Sequence, residues 1–178
     1  MNIFIVNGSP RINGNSAFIA KSLFKNYTDA TLLNLSDLNY KGCQSCYICR
    51  EKNTYCVIND DLKNVLEPLS KSDLIILISP NYYGFITGQM KLFLDRWYCL
   101  KKANRTSKMK NGAKLFFIIT QGAQNRDHAS FITSWAKKVF ESFNLKFYSY
   151  IVPGCKTNSL DMVKIKIDDL KMHLKMFV

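Results

Sequence analysis

Four of the chain's six cysteines fall within fourteen residues, Cys43-Gln-Ser-Cys46-Tyr-Ile-Cys49-Arg-Glu-Lys-Asn-Thr-Tyr-Cys56, at the spacing C-x2-C-x2-C-x6-C. Three thiols at i, i+3 and i+6 wrap a short loop around one centre, and a fourth slightly downstream can close it. Thiolate ligation of an iron–sulfur cluster asks for that geometry. Structural zinc competes, although its sites usually pair two C-x2-C units across a dozen or more residues. A redox dithiol and a scatter of buried thiols are the other readings, and spacing alone leaves all four open.

Three further stretches carry polar chemistry. Gly8-Ser9-Pro10-Arg11-Ile12-Asn13-Gly14-Asn15-Ser16 follows an apolar run and opens onto a helical pattern. Close-folding glycines, hydroxyl and amide side chains and the N–H groups of a helix start suit a phosphate. It is neither a P-loop nor a G-x-G-x-x-G fingerprint, since no Gly-Lys-Ser/Thr follows and the glycines are misplaced. Ser79-Pro80-Asn81-Tyr82-Tyr83-Gly84-Phe85-Ile86-Thr87-Gly88 offers aromatic rings and backbone amides to a planar heterocycle, and Thr120-Gln121-Gly122-Ala123 offers a close backbone and a side-chain amide.

The elements that must position these stretches alternate. Apolar strands are expected at 3–6, 30–35, 73–78, 115–119 and 145–152, and helical patterns at about 16–26, 61–71, 87–103, 127–143 and 159–176. Met90, Phe93, Leu94 and Trp97 fall at i, i+3, i+4 and i+7 of the third helix. Asn59-Asp60-Asp61 is expected to cap the second, with its acids in the first turn where the macrodipole favours them. Five strands alternating with helices indicate a parallel sheet covered on both faces, whose ligands bind beyond the carboxyl ends of the strands.

Composition sets the class. The 178 residues are 47% hydrophobic and 21% charged, which is globular, and the length suits one domain. No apolar run is long enough to span a bilayer, and the N-terminal Met-Asn-Ile-Phe-Ile-Val reads as a buried strand instead of a signal peptide. A cytoplasmic location is expected, with the thiols reduced. The net charge of +12 is concentrated in residues 100–178, which hold 15 basic and 5 acidic side chains. Its densest part, 101–114, has six cations and no acid. A solvated lysine-rich loop is the ordinary explanation; nucleic acid, an acidic redox partner or a phosphorylated dinucleotide are the others. Because 20 of the 25 cations are Lys, nucleic-acid recognition is disfavoured.

The combination of Gly8-Ser9-Pro10-Arg11 and Gly14-Asn15-Ser16 with Ser79-Pro80-x-Tyr82-x-Gly84 and Gly88-Gln89-x-Lys91-x-Phe93-x-Asp95-Arg96 resembles the flavodoxin-like NAD(P)H-dependent FMN reductases. With Val57-Ile58-Asn59-Asp60-Asp61-Leu62 after it, the cysteine motif is similar to that of the branch holding iron–sulfur flavoproteins and the quinone reductases named for tryptophan-repressor binding.

The resemblance implies a three-layer α/β/α sandwich with a five-stranded parallel sheet in the order 2-1-3-4-5. One FMN-binding domain would span 1–178, with a cysteine-rich loop at about 40–58. Ser9, Arg11, Asn15 and Ser16 would hold the FMN phosphate, with Asn13 and Gly14 completing the loop. Pro80, Asn81, Tyr82, Tyr83, Gly84 and Phe85 would line the isoalloxazine, with Thr120, Gln121 and Gly122 on its other edge. Cys43, Cys46, Cys49 and Cys56 would be the ligands of a possible 4Fe–4S cluster. Asp95 and Arg96 are expected to be structural, paired with each other or across a subunit contact. His128 reads as a surface residue, Cys99 as core, and Cys155 has no evident role.

By the same resemblance the chain is expected to take a hydride from NAD(P)H onto FMN and to reduce a quinone-like or other small-molecule or protein acceptor, as a homodimer or homotetramer. The alternative is an FMN and iron–sulfur protein exchanging single electrons with a ferredoxin-like partner. Neither a membrane nor nucleic acid is an expected partner.

Overall fold

A computed structural model describes residues 1–27, 29–156 and 159–178. Five strands, β1 (Ile3–Asn7), β2 (Ala30–Asn34), β3 (Leu74–Pro80), β4 (Lys114–Thr120) and β5 (Lys146–Val152), pair in parallel in the order β2-β1-β3-β4-β5. Register runs Ile3 to Ala30, Ile3 to Leu74, Leu74 to Lys114 and Lys114 to Lys146, so all five strands end on one edge. The expected topology is the observed one.

Period-two alternation along the central strands divides the core in two. Phe4, Val6, Ile75, Leu77, Leu115 and Phe117 face α3 (Leu66–Ser70), α4 (Gly88–Asp95) and α5 (Ser130–Glu141). Ile3, Ile5, Leu74, Ile76, Phe116 and Ile118 face α1 (Asn15–Phe24) and α6 (Asp161–Phe177). The continuous apolar runs are what a sheet buried on both faces requires. A further short helix, α2 (Ile48–Glu51), lies inside the cysteine loop.

The helix expected over 61–71 is largely absent, and only α3 forms. Pro68 has no N–H to bond back toward Asn64, so a regular helix cannot run through this segment. The two acids have other work. The Asp61 carboxylate accepts the Asn39 amide at 2.6 Å, and that of Asp60 accepts the amides of Lys41 and Leu62, each at 3.1 Å. They fasten the cysteine loop instead of decorating a helix start. The 87–103 helix begins as expected, with Thr87 capping α4 by accepting the Met90 amide. It tightens to a 3-10 segment over Arg96–Leu100 and stops there.

Candidate functional site

The loop after β1 is built around Asn7 and Gly8. The buried Asn7 side chain donates to Asn34 and accepts the Ser9 amide, both at 3.1 Å. A Cβ on Gly8 would stand 2.8 Å from Cε of Met90, 3.0 Å from its Cβ and 3.3 Å from the Ile78 carbonyl, so any side chain there would crowd Met90 and the end of β3. The Ser9 hydroxyl accepts the Arg11 amide at 3.1 Å, and the chain enters α1 through Gly14 with no side chain capping the first turn. First-turn amides have no acceptor within a helix, so they are directed at whatever lies beyond it.

Beyond it lies a cleft of about 210 Å3, lined by the loops after β1, β3, β4 and β5. Ser9, Arg11, Gly14, Asn15 and Ser16 form one wall; Pro80, Asn81, Tyr82, Thr120, Gln121 and Gly122 form the opposite one. The Ser16 and Thr120 hydroxyls join the walls at 2.9 Å. Two cations, Arg11 and Lys156, and no carboxylate are among the described residues lining it.

Three buried amide oxygens along this cleft, on Asn15, Asn81 and Gln121, have no hydrogen-bond partner. Their orientation is not arbitrary, because each NH2 is already committed to a backbone carbonyl. Asn15 donates to Lys156 at 3.1 Å, Asn81 to His128 at 3.2 Å, and Gln121 to Ala123 and Asn125 at 3.1 and 2.7 Å. Buried polar atoms in folded proteins are nearly always satisfied, so three unpartnered acceptors on residues lining the cleft favour a ligand bearing donors. A ligand with an anionic end for Arg11, Lys156 and the α1 amides, and hydroxyl or imide donors for the three oxygens, fits; FMN has both.

Eleven of the fifteen residues expected to hold FMN line the cleft. Asn13 is exposed on the first loop. Tyr82 and Phe85 exchange backbone hydrogen bonds at 2.8 and 3.0 Å across a tight turn whose left-handed residues are Tyr83 (φ 51°) and Gly84 (φ 78°). That turn leaves Tyr83 fully exposed and sends Phe85 away from the cleft, edge-on to Trp135 of α5 at 4.8 Å between ring centroids. Phe85 therefore anchors the turn. Cys155 and Lys156 line the cleft without having been foreseen. They sit on the loop after β5, and the rule that placed the other loops, ligands beyond the strand ends, covers this one too.

The second candidate site is the cysteine loop. Ser45 and Tyr47, on either side of Cys46, are both left-handed (φ 53° and 59°), a conformation that costs an ordinary residue about 1–2 kcal/mol. Cys46 is exposed, Cys49 buried, and Cys43 and Cys56 half-buried. Burial pushes the Cys49 thiol up, and the neighbouring Cys56, Cys46 and Cys43 push it further while Lys108 opposes them. The four sulfurs thus share one neighbourhood, and as a donor set they suit a thiolate-bound metal centre. Among the described residues, no three His, Cys, Asp or Glu side chains are already drawn together at metal-binding geometry. Cys99 is a fifth thiol at the edge of this group, buried and pushed up to about 12 by that burial.

Asp95 and Arg96 do not pair with each other. Asp95 takes Lys91, one turn back, at 2.5 Å. Arg96 takes Asp60 at 2.5 and 3.1 Å, with its side chain fully buried. Burial alone would raise the Asp60 carboxyl; the Arg96 hydrogen bond and the amides of Lys41 and Leu62 reverse this and hold it below the usual carboxylate range.

A parallel sheet ordered 2-1-3-4-5, with an anion-ready helix start and three further loops at the same edge, defines a flavodoxin-like nucleotide-binding architecture. The chain belongs to the NADPH-dependent FMN reductase family, whose model matches residues 1–145. It is 30% identical over 100 residues to an iron–sulfur flavoprotein of Methanocaldococcus jannaschii, covering 54% of this chain and 51% of that one. In fold it is similar to the NAD(P)H:quinone oxidoreductase of Methanothermobacter marburgensis, with a TM-score of 0.72 at 12% identity over 97% of this chain and 94% of that one. It is also similar to the Trp repressor binding protein of Bacillus subtilis, with a TM-score of 0.64 at 17% identity over 93% and 92%. The matches span between 42% and 64% of the length of the iron–sulfur flavoproteins compared. None of its described helices is long and apolar enough to cross a membrane.

Proposed function

We propose that this chain is a single FMN-binding domain that oxidises NAD(P)H and reduces a quinone-like or other electron acceptor. The observation that carries the reading is the set of three unpartnered amide oxygens, on Asn15, Asn81 and Gln121, carried by residues that line a cleft with two cations and an uncapped helix start. FMN, when bound, would supply the redox chemistry of hydride and electron transfer. The protein's share is positioning. Arg11, Lys156, Ser9, Ser16 and the first-turn amides of α1 hold the phosphate, and the Asn15 oxygen takes a ribityl hydroxyl. The Pro80–Tyr82 and Thr120–Gly122 backbones bracket the ring, with Asn81 and Gln121 accepting from its polar edge.

The cleft is smaller than the roughly 300–1,000 Å3 of most enclosed ligand sites. A flavin ring would therefore lie partly at its rim, beside exposed Tyr82, Tyr83 and Phe131. This supports completion of the site by a second copy in a homodimer or homotetramer. Anaerobic stopped-flow mixing of the FMN-loaded protein with NADH and with NADPH tests the activity; a flavin band that neither bleaches rejects it. Light scattering on the same sample gives the assembly state.

For the four cysteines we propose a 4Fe–4S cluster bound by Cys43, Cys46, Cys49 and Cys56, supported by their shared neighbourhood and by the names of the iron–sulfur flavoproteins that the chain resembles. Iron and sulfide analysis after anaerobic purification tests it, with about four irons per chain expected. Flavin absorption alone, without iron, counts against it.

A second reading has its own observation. Arg50, Lys101, Lys102, Arg105 and Lys108 gather beside the cysteine loop. Burial lowers the Lys101 ammonium, and the like charges of Arg50 and Arg105 lower it further. This face suits an acidic, ferredoxin-like protein exchanging single electrons at the cysteines. Electron exchange with such a partner should slow steeply with added salt; salt-independent rates argue against docking here.

A further inference from the structure

The outward face of α4 is the seat of the cysteine loop. The Tyr40 hydroxyl donates to the Gln89 carbonyl at 2.7 Å. A Cβ on Gly42 would stand 2.8 Å from Cδ2 of Leu92, so the backbone before the first cysteine lies directly on the helix. Gln89, Leu92 and Arg96 fall at i, i+3 and i+7, one stripe of the helix and the turn that continues it.

Arg96 does the most along that stripe. It is fully buried, and each nitrogen of its guanidinium faces the cysteine loop. Nη1 and Nη2 grip the Asp60 carboxylate, Nη1 also donates to the Lys41 carbonyl at 2.9 Å, and Nε donates to Sγ of Cys56 at 3.1 Å. Lys41 precedes the first cysteine and Asp60 follows the fourth. One side chain therefore closes the neck of the loop and holds the sulfur of its last cysteine. The Asp60 and Asp61 bonds to the amides of Lys41 and Asn39 complete the neck.

We infer that Arg96 is a positioning residue of the cysteine site: it locks the loop onto α4 before any ligand arrives and supplies the N–H···S bond that Cys56 carries into the bound state. Planarity matters. Three nitrogens of fixed geometry serve a carboxylate, a carbonyl and a sulfur at once, which a single ammonium cannot do. Hydrogen bonds to ligand sulfurs raise the reduction potential of an iron–sulfur centre, so the same contact tunes as well as holds. The tuning half rests on the cluster reading above; the locking half does not.

The test compares wild type, Arg96→Met, Arg96→Lys and Asp60→Asn. Trypsin has sites inside the loop at Arg50 and Lys52. In metal-free, FMN-loaded protein, Arg96→Met and Asp60→Asn should be cut there at least about tenfold faster than wild type, because the neck opens locally. Their FMN affinity should stay within about twofold. If Arg96→Met does not fold, as loss of FMN binding would report, Asp60→Asn decides alone. Equal cleavage in wild type and in a folded variant overturns the lock. After anaerobic reconstitution with iron and sulfide, Arg96→Lys should carry its centre at a more negative midpoint potential than wild type, and an unchanged potential overturns the tuning. Wild type that takes up no iron removes the cluster reading and the tuning with it, and the cleavage result still decides the lock.

Discussion

The Thr87 hydroxyl donates to the Gly8 carbonyl at 2.7 Å, joining the cap of α4 to the first residue of the phosphate-type loop. The same oxygen accepts the Met90 amide at 3.1 Å. One face of α4 carries the cysteine loop, and its N-terminus is bolted to the proposed flavin loop. The helix is a strut between the two candidate redox sites.

That relationship makes Thr87 a sharp target. Thr87→Val keeps the shape and deletes both bonds in a fully buried place. It strands the Gly8 carbonyl and an α4 amide, at an expected cost of about 2–3 kcal/mol. Urea unfolding measures it, and FMN affinity should fall with it because the Gly8 carbonyl is no longer held. Thr87→Ser should restore most of both. A Val variant as stable as wild type would mean that the bolt does not matter.

How legible this was in the sequence depends on the range of the interactions. Strand order came from the family resemblance, whereas the five strands and the two-layer core followed from local runs such as Ile3–Val6 and Leu115–Ile119, whose both-face burial needs no knowledge of distant residues. The loops after β1, β3 and β4 were legible for the same reason: Gly8, Asn81 and Gln121 directly follow strand ends. Contacts between distant residues were not legible. Asp60 and Asp61 look like ordinary helix caps until Lys41 and Arg96, at sequence distances of 19 and 36, are seen to claim Asp60. Asp95 and Arg96, adjacent in sequence, point to different partners because successive helical residues face different directions. Lys156 was missed because its only local signal is the end of β5.

Arg11 and Lys156 are the two cations of the cleft, and they should recognise charge and not ring. Arg11→Ala and Lys156→Ala are each expected to weaken FMN binding by roughly 10–100-fold, the size of a lost charge-assisted hydrogen bond. Riboflavin, which lacks the phosphate, should bind both variants and wild type alike. Fluorescence titration with the two flavins separates the cases, and equal losses for both would place these residues elsewhere than at the phosphate.

The Asp60–Arg96 pair gives the fold an acid limb. The Asp60 carboxyl is depressed below its ordinary 3.8 in the folded chain, so its contribution is fully present above that value and is lost as pH falls through the lower folded one. Stability measured from pH 6 downward should therefore include a decline beginning near pH 4 that is shallower in Asp60→Asn. The Asn variant should be less stable at pH 6 and close to wild type at the acid end. Parallel curves would show that the pair has no linkage to folding.

The six free cysteines differ enough in setting for alkylation to map the two sites. In metal-free protein at neutral pH, Cys46 is exposed and should react first. Burial pushes the Cys155 thiol up to about 11 and that of Cys99 to about 12, so both hold almost no thiolate at pH 7, and Cys99 should be last. Cys155 lines the cleft and Cys99 does not. Saturating FMN should therefore slow Cys155 several-fold further and leave Cys99 and Cys46 unchanged. Peptide mass mapping of an iodoacetamide time course reads all of these at once. Protection of Cys46 in place of Cys155 would move the flavin from the β1–β5 cleft to the cysteine loop, and no protection at either would mean that FMN binds at neither.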